Sequence, residues 1–210
     1  MWNQVMRRMI RVGLMAAPVL VAGLAGRAEA EQVSLAEVSA YFNEMRALEA
    51  KFTQINDDGS ISTGTLFIHR PGRMRFEYDP PEEALVIAAG GSLAVFDPGS
   101  NTGPERYPLG RTPLNLILKR DVDLTAERMV VDHSYDGTVT RVTAQDPDNP
   151  GYGSIQLVFT DAPTELRQWV IRDNTGAQTT VILSDMAEGD RLPSRLFSII
   201  SETEAWLERG

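Results

Sequence analysis

Two histidines, one pair of adjacent glutamates and one aspartate-rich hexapeptide are the groups in this chain best suited to chemistry. His69 and His133 each fall inside a short run of strand character. Neither has a serine-nucleophile elbow or a zinc-binding HExxH motif around it. Triad and metal sites need several converging groups, so both histidines are read as structural. The stretch DPDNPG at 146–151 has the opening of a calcium loop. Its fifth position is Pro150, and its twelfth is Leu157 where a bidentate Glu belongs, so it is read as a turn. Glu82-Glu83 follows Pro80-Pro81 and reads as a solvated turn, with paired-carboxylate catalysis as the alternative. The chain has no cysteine, which excludes thiol catalysis, Cys-ligated zinc and acylation of the protein itself. No phosphate-cradling glycine loop is present. The sequence therefore predicts no catalytic residue, no metal and no cofactor.

The unusual residue is Arg70, in the stretch RPGRMRFEYD at 70–79. Met74, Phe76 and Tyr78 alternate with Arg73, Arg75 and Glu77, the period of a strand with one apolar face. Arg70 has the parity of the apolar set. Either the register runs on through Gly72 and a guanidinium faces the apolar side, or Pro71-Gly72 breaks it and Arg70 turns to solvent. Leu66 and Ile68 on the preceding run are expected to share the apolar face with Met74, Phe76 and Tyr78.

The elements that would position these residues are mostly strands. Ser34 with Glu37 three residues on is a capping-box signature. Leu35, Val38, Phe42, Met45 and Leu48 then recur at helical spacing. After Ala50 the pattern becomes short runs between tight turns. The runs lie at 51–56, 64–69, 74–78, 85–89, 93–96, 129–134, 139–144, 155–160, 168–172 and 179–183. Hairpin turn residues separate them, as at Asp57-Asp58-Gly59, Gly90-Gly91 and Asp136-Gly137. This predicts a mainly β (α+β) fold: one large antiparallel sheet, strongly curved or closed as a barrel. One segment interrupts the strands. Thr112 and Pro113 carry cap and first-turn chemistry, and Lys119-Arg120 suit a helix C-terminus. Between them Leu114, Leu116, Ile117 and Leu118 are apolar on most of a helical circumference, so this helix needs covering and is expected to cross the mouth of the sheet.

These stretches together resemble the periplasmic outer-membrane lipoprotein carrier family, LolA. The resemblance begins with the N-terminal helix and KFTQ at 51–54. It continues through TGTLFIHRPGRMRFEYDPP at 63–81, GGSLAVFDP at 90–98 and TPLNLIL at 112–118, up to LPSRLFSI at 192–199. It implies an incomplete antiparallel barrel whose concave apolar face is covered by helices and shelters lipoprotein acyl chains. Leu66, Ile68, Met74, Phe76 and Tyr78 would then line the acyl-chain cavity. The helix containing Thr112, Pro113, Leu114, Ile117 and Leu118 would be its lid, and Arg70 the latch that holds the lid by hydrogen bonds. The implied partners are acylated lipoproteins, a releasing ABC transporter in the inner membrane and an acceptor lipoprotein at the outer membrane. Two departures stand out. Met74 occupies a position where a larger aromatic is common, and the tail SETEAWLERG after Ile200 matches nothing in the family pattern.

Composition fits an exported carrier. Residues 1–30 have the layout of a cleaved signal peptide: Arg7, Arg8 and Arg11, a short apolar run, then Ala28-Glu29-Ala30. Sec and twin-arginine export both remain open. The run contains Pro18 and Gly23 and is shorter than the ~20 residues a membrane span needs. Residues 31–210 are expected to form a single, monomeric periplasmic domain. They carry 28 acidic and 16 basic residues, a surface that repels nucleic acid. Two other readings of the same curled sheet are a lipid-sensing or partner-binding module of the cell envelope and a Glu/Asp hydrolase.

Overall fold

The protein is described from a computed structural model, which covers residues 31–100, 102–126 and 128–209. The expected signal peptide lies outside the described residues. Helix α1 (Leu35–Glu44) begins as its sequence dictates. The Ser34 hydroxyl accepts from the Glu37 amide at 3.2 Å, and the Glu37 carboxylate accepts from the Ser34 amide at 2.8 Å. The helical stripe was expected to run on to Leu48, but the chain turns extended at Met45. Leu48 is buried from strand β1 (Ala47–Ile55) instead. Leu48 and Ala50 alternate with Glu49 and Lys51, so a period-2 pattern overlaps the end of the helical one. Pairing on both sides of β1 decides between them.

Ten further strands follow: β2 (Ile61–His69), β3 (Arg73–Tyr78), β4 (Leu85–Ala89), β5 (Ser92–Phe96), β6 (Glu105–Pro108), β7 (Val130–Tyr135), β8 (Thr140–Gln145), β9 (Ser154–Thr160), β10 (Glu165–Arg172) and β11 (Gln178–Gly189). They make one antiparallel sheet in the order β6-β5-β4-β3-β2-β1-β11-β10-β9-β8-β7. Antiparallel pairing joins sequence neighbours except β6 and β7, which lie at opposite edges, and β1 pairs with β11 to unite the two halves. β6 and β7 are free edges, so the barrel is incomplete.

The sheet is strongly curled. β3 and β10 are four strand spacings apart, roughly 19 Å measured along the sheet. Yet the rings of Phe76 on β3 and Trp169 on β10 lie with centroids 6.2 Å apart, nearly perpendicular. Only a sheet folded back on itself brings them together. Tight packing at the bend explains Gly64 on β2. A Cβ there would lie 2.0 Å from the Glu77 carbonyl oxygen and 2.7 Å from the Phe52 ring.

The concave face holds the main core. α1 contributes Val38 and Phe42, and Phe42 packs edge-on against Phe159 at 5.9 Å. The outer face of β3–β5 is covered as well, by helix α3 (Ile199–Arg209), which sequence patterns missed. Leu85, Ile87, Ala94 and Phe96 form a second, smaller core there, with Trp206 at 5.3 Å from the Phe96 ring. Arg75 points to this side. It donates to Glu77 at 2.6 Å, to Glu202 at 3.1 Å and to the Leu196 carbonyl at 2.9 Å, so its near-complete burial is compensated. Strand β6 was also missed, because all four of its residues are exposed and show no apolar alternation.

Candidate functional site

The interrupting segment forms less helix than its sequence predicts. Leu109–Arg111 is a 3₁₀ turn, and only Asn115–Leu118, here α2, is α-helical. The Thr112 hydroxyl donates back to the Leu109 carbonyl at 2.8 Å, closing the 3₁₀ turn rather than capping α2. Pro113 lies before the helix, where its carbonyl accepts from the Leu116 amide at 3.2 Å. Leu114, Leu116, Ile117 and Leu118 are all buried against the concave face.

A one-turn helix leaves its last carbonyls without internal partners. The β2–β3 turn supplies them. Gly72 takes a left-handed φ of +74°, and its amide donates to the Leu118 carbonyl at 2.7 Å. Arg70 Nη2 donates to the Lys119 carbonyl at 2.5 Å, with a longer contact of 3.4 Å to Arg120. The turn therefore caps the C-terminal end of α2 with one backbone donor and one cation, the sign that suits a helix C-terminus.

Arg70 is only 8% exposed, although it lies in a turn. Its guanidinium carbon is 5.9 Å from the Phe42 ring centroid, within range of a cation–π contact. Burial lowers its pKa, and the Asp121 carboxylate opposes that shift. An arginine stays cationic under such conditions. Its Nε has no hydrogen-bond partner among the described residues.

The segment after α2 is stapled to α1 by two residues that sequence patterns did not single out. Asn43 donates from Nδ2 to the Val122 carbonyl at 2.8 Å and accepts from the Val122 amide at 3.0 Å. The Ser39 hydroxyl oxygen accepts from the Leu124 amide at 3.0 Å. Asn43 and Ser39 lie four residues apart beside the apolar stripe of α1, the signal that would have marked them. α1, α2 and residues 119–124 thus form one cover over the concave face.

Beneath that cover, Met74 pairs with Ile68, Phe76 with Leu66 and Tyr78 with Gly64. Leu66, Ile68, Met74 and Phe76 are buried, and Tyr78 packs against them. Phe52 contacts Phe76 and Tyr78, each at 5.1 Å in an edge-to-face arrangement. The Tyr78 hydroxyl donates to Gln54 at 2.7 Å, and burial pushes its pKa up to about 12. These five residues belong to the same packed cluster as Phe42, Ile117 and Leu118.

An open cavity of about 360 Å³ lies beside them, and none of the five lines it. One wall is the cavity-facing side of the α2 segment, with Thr112, Pro113, Asn115, Leu116 and Lys119. The other is the end of β8 and β9, where Ala144 and Ile155 form an apolar floor and Met129 and Tyr152 flank it. This is the mouth of the concave face at the edge of its cover.

Of the residues first considered for chemistry, Asp146, Pro147 and Asp148 border this cavity, whereas both histidines and Glu82-Glu83 lie elsewhere. His133 Nε2 donates to the Val33 carbonyl at 2.9 Å and ties the start of the described chain to β7. His69 packs against Phe197 beneath the C-terminal segment. Asp146 accepts from the amides of Asp148 and Asn149, a side-chain-closed turn. Glu82 and Glu83 are exposed in a turn.

The family model described as outer membrane lipoprotein carrier protein LolA matches residues 43–200. The chain belongs to the LolA family. The matched span runs from the end of α1 to the start of α3, so it includes the whole sheet, Arg70 and α2. Among LolA relatives, the outer-membrane lipoprotein carrier protein of Pseudomonas aeruginosa is 25% identical over 200 residues, covering 91% of this chain and 94% of its own. That of Coxiella burnetii is 30% identical over 111 residues, half of this chain and 52% of its own. A LolA superfamily protein of known structure from Nitrosomonas europaea is 13% identical, with a TM-score of 0.42 over 79% of this chain and 98% of its own. Most of α3 lies beyond the span matched to LolA. Among the described residues, no helix is long and apolar enough to cross a membrane.

Proposed function

We propose that this protein is a periplasmic carrier of acylated lipoproteins. It shelters their acyl chains on the concave face of the sheet. It takes them from a releasing ABC transporter of the inner membrane and passes them to an acceptor lipoprotein at the outer membrane. Leu66, Ile68, Met74, Phe76 and Tyr78 form the surface that the chains displace α2 to reach, and Arg70 latches α2 in the empty state. The observation that carries this reading is the cover itself. An apolar face of many strands is closed by α1, the single turn of α2 and residues 119–124, and the C-terminal end of α2 is capped by Arg70 and Gly72 of the β2–β3 turn.

The energetics favour such a cover. Burying a methylene stabilises by ~0.8 kcal/mol, so one sixteen-carbon chain approaches ~12 kcal/mol. A site that held the chain fully would not release it. A cover that packs in place of the chain lowers the affinity by the stability of the closed form. Release then needs no nucleotide on the carrier.

The test is mass spectrometry of the protein isolated from the periplasm without detergent. Co-purifying acylated lipoprotein is the expected result. Free phospholipid alone, or a stable non-acylated protein partner, would overturn the carrier reading in favour of a sensing module.

A further inference from the structure

The interior contains a polar atom that the packing described above does not use. Trp169 is fully buried on β10, and its indole Nε1 has no hydrogen-bond partner among the described residues. A buried donor left unsatisfied costs more than a made hydrogen bond contributes, so such groups are rare in packed interiors. Phe would fill the same position against Phe76 without that cost.

The place of Trp169 gives the orphan donor a use. It pairs with Leu157 on β9, while Ile171 pairs with Ile155. Ile155 is part of the floor of the open cavity beside α2, and Leu157 is not. Trp169 therefore sits one layer inside the mouth, about 7 Å along the strand from the cavity floor. Beyond it, across the curl of the sheet, is Phe76. Trp169 thus lies between the cavity floor at Ile155 and Phe76 on the concave face.

We infer that Trp169 is a specificity-determining residue whose indole N–H donates to the carbonyl of an acyl linkage, ester or amide, at the head of a bound chain. The inference rests on the carrier reading and adds to it. Apolar walls accept any hydrocarbon, whereas an unsatisfied donor just inside the mouth selects chains that bring a carbonyl to that depth. In the empty, closed protein the donor stays unpaired and favours opening. In the loaded protein it is satisfied.

The experiment measures binding of two synthetic probes by displacement of a fluorescent fatty acid. One is a dipalmitoyl-glyceryl-cysteine peptide with ester linkages. The other is its dihexadecyl ether counterpart, which has the same chains without their carbonyls. The wild-type protein is expected to bind the ester about 2- to 10-fold more tightly, the range of a single neutral hydrogen bond. In Trp169→Phe this preference collapses to near one, whatever happens to the absolute affinity. A preference retained in Trp169→Phe overturns the inference, as does equal binding of both probes by the wild type. Binding of neither probe by the wild type removes the carrier reading and the inference with it. A second measurement does not depend on that variant folding. Ultraviolet resonance Raman of the Trp2→Phe/Trp206→Phe protein reports the indole of Trp169 alone. Its N–H band should shift on addition of the ester probe and stay in place with the ether. An unshifted band with bound ester refutes the assignment.

Discussion

Replacing Arg70 by Leu isolates the latch from the rest of the cover. The substitution removes one short charge-assisted hydrogen bond, to the Lys119 carbonyl at 2.5 Å. The contact to Arg120 at 3.4 Å is long and adds little. The Gly72 amide keeps its bond to the Leu118 carbonyl, because it belongs to the backbone. A leucine in this nearly buried position also suits the neighbouring Phe42 ring, so the fold is expected to hold. The loss to the closed form is then that of one hydrogen bond from a charged donor, about 1.5–3 kcal/mol. Relief of the buried charge and its unpartnered Nε lies on the other side of the balance, so the lower end is the better estimate.

At ~1.4 kcal/mol per factor of ten, the closed population falls about tenfold or more relative to the open one. Binding of acyl chains tightens by the same factor, because less of the protein must be opened. Loading should therefore survive while delivery slows. The assay is a two-step transfer with purified membranes: release of a labelled lipoprotein from inner-membrane vesicles, then its incorporation into outer-membrane vesicles. Arg70→Lys should be intermediate, since a point charge replaces the planar fork. An Arg70→Leu protein that loads and delivers at the wild-type rate would refute the reasoning and leave Arg70 as a structural cap on α2.

Gly64→Ala should destabilise the bend of the sheet. The new methyl would meet the Glu77 carbonyl oxygen at 2.0 Å, which moves only if β2 and β3 part. The expected cost is about 1–3 kcal/mol, read as a clear fall in the thermal midpoint, and an unchanged midpoint would contradict the close approach. Tyr78 gives a pH dependence at the alkaline end. Its folded pKa is raised to about 12 by burial, against an ordinary tyrosine value of 10.0. The stability it contributes is fully present below pH 10 and is lost as the pH rises towards 12, because the unfolded chain ionises first. Stability of the wild type should thus fall faster over that interval than that of Tyr78→Phe, by up to ~2–3 kcal/mol in denaturant titrations. Parallel curves would show that Tyr78 is not held in an apolar environment.

Local patterns were enough to find most of the elements. The capping box at Ser34 and Glu37 starts α1 because both partners lie within one turn of chain. Short strand runs marked β1 from Lys51 onward, β2 to β5 and β7 to β11, because facing residues on one strand report on the same side of the sheet. The parity of Arg70 pointed inwards for the same reason. Whether the turn at Pro71-Gly72 preserved that parity was not a local matter. It depended on the carbonyls of Leu118 and Lys119, which are remote in sequence. The helix was overextended at Leu48 and at Thr112 because two periods overlap in the first case and a backbone carbonyl competes for the hydroxyl in the second. β6 and α3 were missed for different reasons. β6 has no buried face to leave a pattern, and α3 is defined by Trp206 meeting Phe96 on the outside of the sheet. Curvature was the least legible feature. Each strand contributes a small twist, and only their sum across β3, β2, β1, β11 and β10 brings Phe76 to Trp169. Sequence by itself determined which residues are apolar and which face of a strand they share. The tertiary structure alone decided which of those faces meet, because that choice rests on contacts between residues far apart in the chain.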